Sequence, residues 1–358
     1  MTKKIFDAYN YLIESNDLKR LKNKQMKNIL FVGLGSIGQR HFRNLKKIDK
    51  KINFFAIRKK RLSPQLDNNN KVIKKKFLTN KNGIKEISFD QIDRFKIDLA
   101  FVTNPTSLHL ETSIKLAKKK INLFLEKPIS NSTKGINKLL RLVKKNNLNC
   151  AVGFQLRYDD LLNKLKNLIN SKKLGQVQKC YIEHKHYLPF HHKYENYKIG
   201  YASRKDLGGG VLLCYSHEFD YANLLFGKPQ YIFCSTQKSK NLKINVESSA
   251  LVVGKFPKNV EVVFDLDFLK KKPVRTCSVQ LDNGFVKWDL IKNQLKIEQK
   301  GKVKIINSRY KKRNDLFIEQ LKQVLKSIKL NQKPKSNITN GITNINEIEK
   351  IKKLSMLN

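Results

Sequence analysis

Asn28-Ile29-Leu30-Phe31-Val32-Gly33-Leu34-Gly35-Ser36-Ile37-Gly38 is the stretch that decides how this chain folds. Residues 28–32 have the length and apolar character of a buried strand, and a helical pattern runs from about Ile37 to Lys47. Between them lies G-x-G-x-x-G, in the strand–turn–helix setting that gives this short motif its meaning. Gly33 permits the tight turn, Gly35 lets a pyrophosphate approach the backbone, and Gly38 lets helix and strand pack closely. Ser36 and Ile37 open the helix, whose free N–H groups and positive dipole end suit an anion. A purely structural glycine turn is the competing reading.

Working outward, Asn53–Ile57, Leu99–Thr103 and Ile121–Leu125 are further short apolar runs. The last two adjoin helical stretches at Ser107–Lys120 and Thr133–Lys145, and one more strand unit follows at Cys150–Phe154. Strands alternating with helices predict a parallel sheet with helices on both faces. From Val177 the pattern changes. Val260, Val262, Phe264, Leu266 and Phe268 alternate with Glu261, Asp265 and Asp267, as in a half-exposed antiparallel sheet. Asp282-Asn283-Gly284 and Lys300-Gly301 read as hairpin turns. The expected fold is α/β, with a parallel sheet in the N-terminal part and a mostly antiparallel sheet after it. The expected divisions are an extension at 1–26, the dinucleotide-binding domain at 27–128, a substrate and oligomerisation domain at 129–335, and a C-terminal helix at 336–358 packing back on the first domain. The extension carries a short helical pattern at Phe6, Tyr9, Leu12 and Ile13.

The chain has 358 residues, enough for about two domains. Its 74 Lys and Arg against 29 Asp and Glu give a net charge of +45, which first suggests nucleic acid or an anionic membrane. Yet the lysines are scattered through nearly every segment alongside Asn and Ile, residues that share A/T-rich codons, so the surplus reads as solvated surface. Neither nucleic acid nor membrane is expected as a partner, whereas an anionic small substrate would be drawn to such a surface. Five cysteines, never closer than twenty residues, form no zinc ribbon or redox pair and read as reduced thiols of a cytoplasmic protein. No apolar run approaches the roughly eighteen residues of a membrane span.

An NAD-binding domain would place a carboxylate at the end of the second strand, to hold the ribose 2′-hydroxyl. Here the strand ends in Arg58-Lys59-Lys60-Arg61, so NADP(H) is favoured over NAD(H), the competing reading being four more basic residues of a basic chain. Of the seven histidines, His184, His186, His191 and His192 cluster, but no Cys or paired carboxylate completes a ligand set, and no metal is expected.

Three more segments give the chain a family resemblance. Val102-Thr103-Asn104-Pro105-Thr106-Ser107-Leu108-His109 follows one strand, Glu126-Lys127-Pro128 follows the next, and Gly208-Gly209-Gly210 precedes His217 on a predicted helix. With the glycine turn, in this order, they resemble the glucose–fructose oxidoreductase/inositol dehydrogenase (Gfo/Idh/MocA) family from about Lys27 to the C-terminus. Tyr187-Leu188-Pro189, His191 and the run 202–213 look like a subgroup linked to surface-sugar and nonulosonic-acid pathways.

The resemblance implies an α/β fold with an N-terminal Rossmann domain plus a C-terminal α/β domain with an open, mostly antiparallel sheet, and a nicotinamide-dependent oxidoreductase acting on a carbinol carbon of a sugar, sugar acid or sugar-nucleotide-like substrate. Its match assigns Lys127 and His217 to catalysis, and Thr103, Asn104, Pro105, His109, Glu126 and Lys127 to the cofactor beside the glycine turn and Arg58. Arg157, Tyr158, Tyr187, His191, Arg204 and His217 are the expected substrate contacts. Many members carry Asp where Cys214 stands here, three residues before His217, with Glu218 and Asp220 as candidate substitutes. The alternative is a non-catalytic nicotinamide-binding regulator of the same fold. An open sheet face predicts a homodimer or homotetramer.

Overall fold

The computed structural model describes residues 26–58, 63–67 and 69–356. The expected N-terminal helical pattern and the basic residues Lys59, Lys60 and Arg61 lie outside the described residues. In chain order the first layer contains β1 (Asn28–Val32), α1 (Ser36–Ile48), β2 (Asn53–Ile57), β3 (Gln65–Leu66), β4 (Val72–Lys74), β5 (Ile84–Glu86), β6 (Leu99–Val102), α2 (His109–Lys118), β7 (Asn122–Leu125), α3 (Ile136–Lys145) and β8 (Cys150–Val152). Apart from the β3–β4 ribbon, these strands form one parallel sheet in the order β5-β2-β1-β6-β7-β8. Chain order reverses about β1, which has β2 on one side and β6 on the other. In an open parallel sheet that reversal leaves a crevice at the carboxyl ends of the strands.

The second layer begins with α4 (Asp160–Ser171) and β9 (Val177–Lys185), followed by α5 (Val211–Cys214) and α6 (Ser216–Phe226). The meander β10 (Gln230–Gln237), β11 (Ser249–Phe256), β12 (Val260–Asp267), β13 (Val274–Leu281), β14 (Gly284–Asp289), β15 (Gln294–Gln299) and β16 (Lys302–Asn307) completes its sheet. The strand order is β10-β11-β12-β9-β13-β14-β15-β16, antiparallel except where β9 meets β12. Along β12 the even-numbered residues are buried and the odd ones half-exposed, which is the alternation read from the sequence. Lys300 and Gly301 turn with positive φ of 47° and 71°, as a tight β15–β16 hairpin requires. The turn at Asp282-Asn283 closes without a positive φ.

Two of the sequence divisions move. The first sheet takes in β8, so it continues past Pro128. Helix α7 (Arg313–Lys329), placed by sequence in the second domain, packs on α1 of the first. The reason is the aromatic face of the first sheet: Phe31, Phe101 and Phe124 share register on β1, β6 and β7 and stack with centroids 5.0 and 4.7 Å apart. Such pairs add about 0.5–1.5 kcal/mol each beyond burial. Leu321 and Val324 of α7 close that face together with Phe42 and Leu45 of α1. Helix α8 (Ile338–Leu354) then joins both layers, lying against Ile129 and Val152 at Gly341 and donating from Asn344 to the Ser216 carbonyl at 2.8 Å.

Candidate functional site

A cleft of about 1410 Å³ opens at the crevice of the first sheet and extends beneath the second. Gly33, Gly35 and Ser36 line it, and so do Lys127 and His217. The three motif glycines are not equivalent. Gly33 has φ +97°, and an added Cβ would lie 2.7 Å from the Asn104 nitrogen. At Gly38 the added carbon would lie 2.6 Å from the Gly33 carbonyl. Folding alone explains both. Gly35, at the N-cap of α1, has an ordinary φ of −68°, and a Cβ there would meet nothing within 4 Å. Neither backbone strain nor packing requires glycine at that position, so the space beside it is a cradle that a side chain would fill.

The loops after β6 and β7 are tied to this turn. Thr103 donates from Oγ1 to the Gly33 carbonyl at 2.6 Å, and Asn104 donates to Thr112 at 2.9 Å. His109 sits between the loops, its two ring nitrogens each 2.7 Å from a carbonyl, those of Pro128 and Asn104. Glu126 is held by the buried His41 of α1, which donates from Nε2 at 2.7 Å. The adjacent Lys127 therefore leaves β7 from a braced position and reaches across the cleft, donating from Nζ to the Cys214 carbonyl at 2.7 Å. Burial lowers its pKa, and nearby groups, led by Cys214 and including Glu126 and Glu218, partly oppose the shift.

The second layer supplies the opposite wall. His217, on the first turn of α6, is buried with its Nδ1 unpartnered among the described residues. Burial and the neighbouring Lys127, Arg275 and Arg313 lower its pKa well below the ordinary value, so it is neutral at neutral pH. Cys214 does not replace a carboxylate: burial pushes its thiol up to about 12, and it meets Lys127 through its carbonyl. Nor do the two candidate substitutes face His217. Asp220 is committed to Arg157, whose Nε and Nη2 reach it at 2.8–3.1 Å. Glu218 accepts from Arg275 Nε at 2.8 Å and lies 3.0 Å from His184 Nδ1. Burial opposes the Glu218 charge, but Arg275 and His184 outweigh it and bring the pKa to about 2.

Of the expected substrate contacts, His191 and His217 line the cleft, and Arg157, Tyr158, Tyr187 and Arg204 do not. Arg157 is buried in its ion pair with Asp220. Tyr158 packs in the core. Tyr187 lies edge-on to Phe190, and Arg204 is paired with Asp206 at the surface. Arg58 does line the cleft, but its Nη1 donates to the Phe77 carbonyl at 3.0 Å and meets Glu86 at 3.2 Å. The sequence reading missed Arg275 and Arg313 on the cleft wall, as well as Tyr194, which lines the same cleft as Ser36 of the glycine turn. Among the described residues no cluster of His, Cys, Asp or Glu could hold a metal ion. Nor is any helix among them long and apolar enough to cross a membrane.

Burial also gives the histidines a measurable consequence. Five of the seven have lowered pKa values, with His184 near 4 and His191 near 3 against an ordinary 6.5. Unfolded imidazoles take up protons near 6.5 while the native ones refuse them, so the unfolded state binds more protons and stability falls as pH drops. His184 alone, shifted from 6.5 to about 4, accounts for about 3 kcal/mol once pH has fallen through that window. Thermal unfolding should therefore show Tm falling steadily from pH 7 to pH 5, and a flat Tm over that range would contradict the burial of neutral histidines.

The fold and cleft are those of a two-domain protein with a Rossmann nucleotide-binding half. Residues 27–154 match the oxidoreductase family with an NAD-binding Rossmann fold, and residues 162–287 match the GFO/IDH/MocA C-terminal domain. The chain belongs to the Gfo/Idh/MocA oxidoreductase family. It is 28% identical over 201 residues to myo-inositol 2-dehydrogenase of Thermotoga maritima, covering 55% of this chain and 54% of that protein. To 2,7-anhydro-N-acetylneuraminate hydratase of Escherichia coli it is 26% identical over 132 residues, 37% of this chain and 34% of that protein. The matched region thus spans about a third to about half of these relatives. The fold is shared with an inositol dehydrogenase homolog complexed with NAD+ from Azotobacter vinelandii, with a TM-score of 0.76 at 13% identity over 94% of this chain and 96% of that one. It is shared equally with aldose-aldose oxidoreductase from Caulobacter crescentus, with a TM-score of 0.75 at 16% identity over 93% and 98%.

Proposed function

We propose that this chain is a nicotinamide-dependent oxidoreductase that moves a hydride to or from a carbinol carbon of a sugar-like substrate. The observation that carries this reading is the meeting of Lys127 from the first layer and His217 from the second in one cleft with the glycine turn. Gly33, Gly35, Ser36 and Ile37, with Thr103, Asn104 and Pro105 opposite, would hold the dinucleotide, and Gly38 lets the helix pack closely behind them. His109 and Glu126 brace its walls. A bound nicotinamide would supply the hydride acceptor or donor.

The chain's own residues handle the proton and the charge. The Lys127 ammonium, held by the Cys214 carbonyl, stabilises negative charge developing on the substrate oxygen. Its lowered pKa also brings proton exchange within reach. His217, neutral in its buried setting, accepts the hydroxyl proton in oxidation and returns it in reduction. The test is a panel of sugars, polyols and sugar acids with NADP+ and NAD+, read by the absorbance of reduced nicotinamide. Turnover by the wild-type chain supports the enzyme; cofactor binding with no turnover across the panel favours the regulator.

NADP(H) is proposed over NAD(H) on the position of Arg58, with Glu86 drawing off part of its charge. NADPH should bind more tightly than NADH by ~1.5–3 kcal/mol, the worth of a charge-assisted hydrogen bond. Arg58→Ala should erase that difference and Glu86→Gln should widen it. Fluorescence titration giving wild-type NADH affinity equal to that for NADPH would overturn the preference.

A homodimer or homotetramer is proposed on the outer face of the large sheet, where Phe233, Val253, Val263 and Tyr181 stand in register across four strands. Phe233 and Tyr181 are exposed. Light scattering at micromolar concentration should give a multiple of the chain mass, and a monomer mass would contradict it.

A further inference from the structure

Arg313, the first residue of α7, lines the cleft with its guanidinium bonded to nothing among the described residues. In a chain this basic an unpaired surface arginine is unremarked, but this one faces other cations across a confined space. Desolvation by the cleft walls, with Arg275 and Arg40 adding like charge, takes its pKa down to about 10, so it stays charged at neutral pH. Arg40 is already engaged, donating to Asn314 at 3.2 Å and to Asn70 at 3.3 Å. Arg275 shares the single buried carboxylate of Glu218 with His184. Lys127 has a carbonyl as its partner. Lys127, Arg275 and Arg313 thus line one cleft with His217, and all three act to lower its pKa.

A cation without a counter-ion beside a second cation is unfavourable in the free protein and becomes favourable when an oxyanion lies between them. We propose that Arg313, with Arg275 beside it, binds an oxyanion group, a carboxylate or phosphate, carried by the sugar-like substrate. This rests on the hydride-transfer reading for the identity of the cleft. The cofactor's own phosphates are the other source of such a group. The substrate is the one favoured here because Arg275 is bonded to Glu218, the neighbour of His217 on α6, whereas the glycine cradle opens α1 of the first layer. The guanidinium fork suits two oxygens of one group, and no atom of the reacting carbon is asked of it.

Arg313 stands at the first position of its helix and holds no other residue by hydrogen bond or ion pair among the described residues, so Arg313→Gln should leave the fold intact. The measurement is calorimetric binding of hexuronates, hexose 6-phosphates and parent hexoses of gluco, galacto and manno configuration, to wild type, Arg313→Gln and Arg313→Lys, each with and without NADPH. In the wild type the preferred acid or phosphate should bind about 10- to 100-fold more tightly than its parent hexose. Arg313→Gln should lose most of that ratio, Arg313→Lys should restore part of it, and NADPH affinity should be unchanged in both. Three results would overturn the proposal: no preference for the charged sugars in the wild type, a ratio undiminished in Arg313→Gln, or a matching loss of NADPH affinity, which would assign the arginine to the cofactor. An Arg313-dependent anion preference in a protein that binds no nicotinamide would sink the hydride-transfer reading and leave the oxyanion site standing.

Discussion

Lys127→Ala lowers turnover by ~10²–10³-fold and leaves cofactor affinity nearly intact, because it removes the ammonium that answers charge on the reacting oxygen. The scaffold around it should survive. Glu126 stays tied to His41, His109 still lies between the two loops, and only the donation to the Cys214 carbonyl is lost. His217→Ala should cost ~10²–10⁴-fold, the range for general acid–base catalysis. Both residues serve one proton transfer, so the double variant should lose less than the product of the two factors. With Asp220 bound to Arg157 and Glu218 to Arg275, His217 has no carboxylate partner among the described residues to raise its basicity. Normal turnover in His217→Ala alone would move the base role to Lys127. Full activity in Lys127→Ala would reject the mechanism.

Gly35→Asp abolishes dinucleotide binding while the protein stays folded. The backbone at Gly35 suits any residue, Asp is a favourable N-cap, and the added side chain enters open cleft, so stability should change by no more than a few tenths of a kcal/mol. The aspartate then occupies the cradle and sets a negative charge against a pyrophosphate, with an expected loss of at least ~100-fold in affinity from sterics and like-charge repulsion together. Gly38→Ala is the contrasting variant. Its methyl would lie 2.6 Å from the Gly33 carbonyl and 2.8 Å from Thr103 Oγ1, so it should lower Tm as well as affinity. Undiminished cofactor titration in folded Gly35→Asp would remove the dinucleotide assignment.

The contrast between those two glycines shows what the sequence could and could not say. The motif names three glycines alike, because spacing is local information, and the strand–turn–helix around them is equally local. The structure separates the two that packing demands from the one that packing leaves free. The parallel sheet and the alternating sheet were readable for the same reason, each being a periodicity within a few residues. Partnerships across the chain were not. Arg157 looked like a substrate contact because its carboxylate is 63 residues away on α6. Arg313 carried no signal among so many cations until α7 was seen to pack on α1 and bring it to the cleft. Nothing local in α7 shows that Leu321 and Val324 belong to the first sheet's core.

The most direct test of the account is an equilibrium titration of the wild-type chain with NADPH and with NADH, followed by nicotinamide fluorescence or calorimetry. The account predicts saturation of one site per chain in the micromolar to sub-millimolar range, with NADPH the tighter ligand. Absence of saturable binding by either dinucleotide would contradict it.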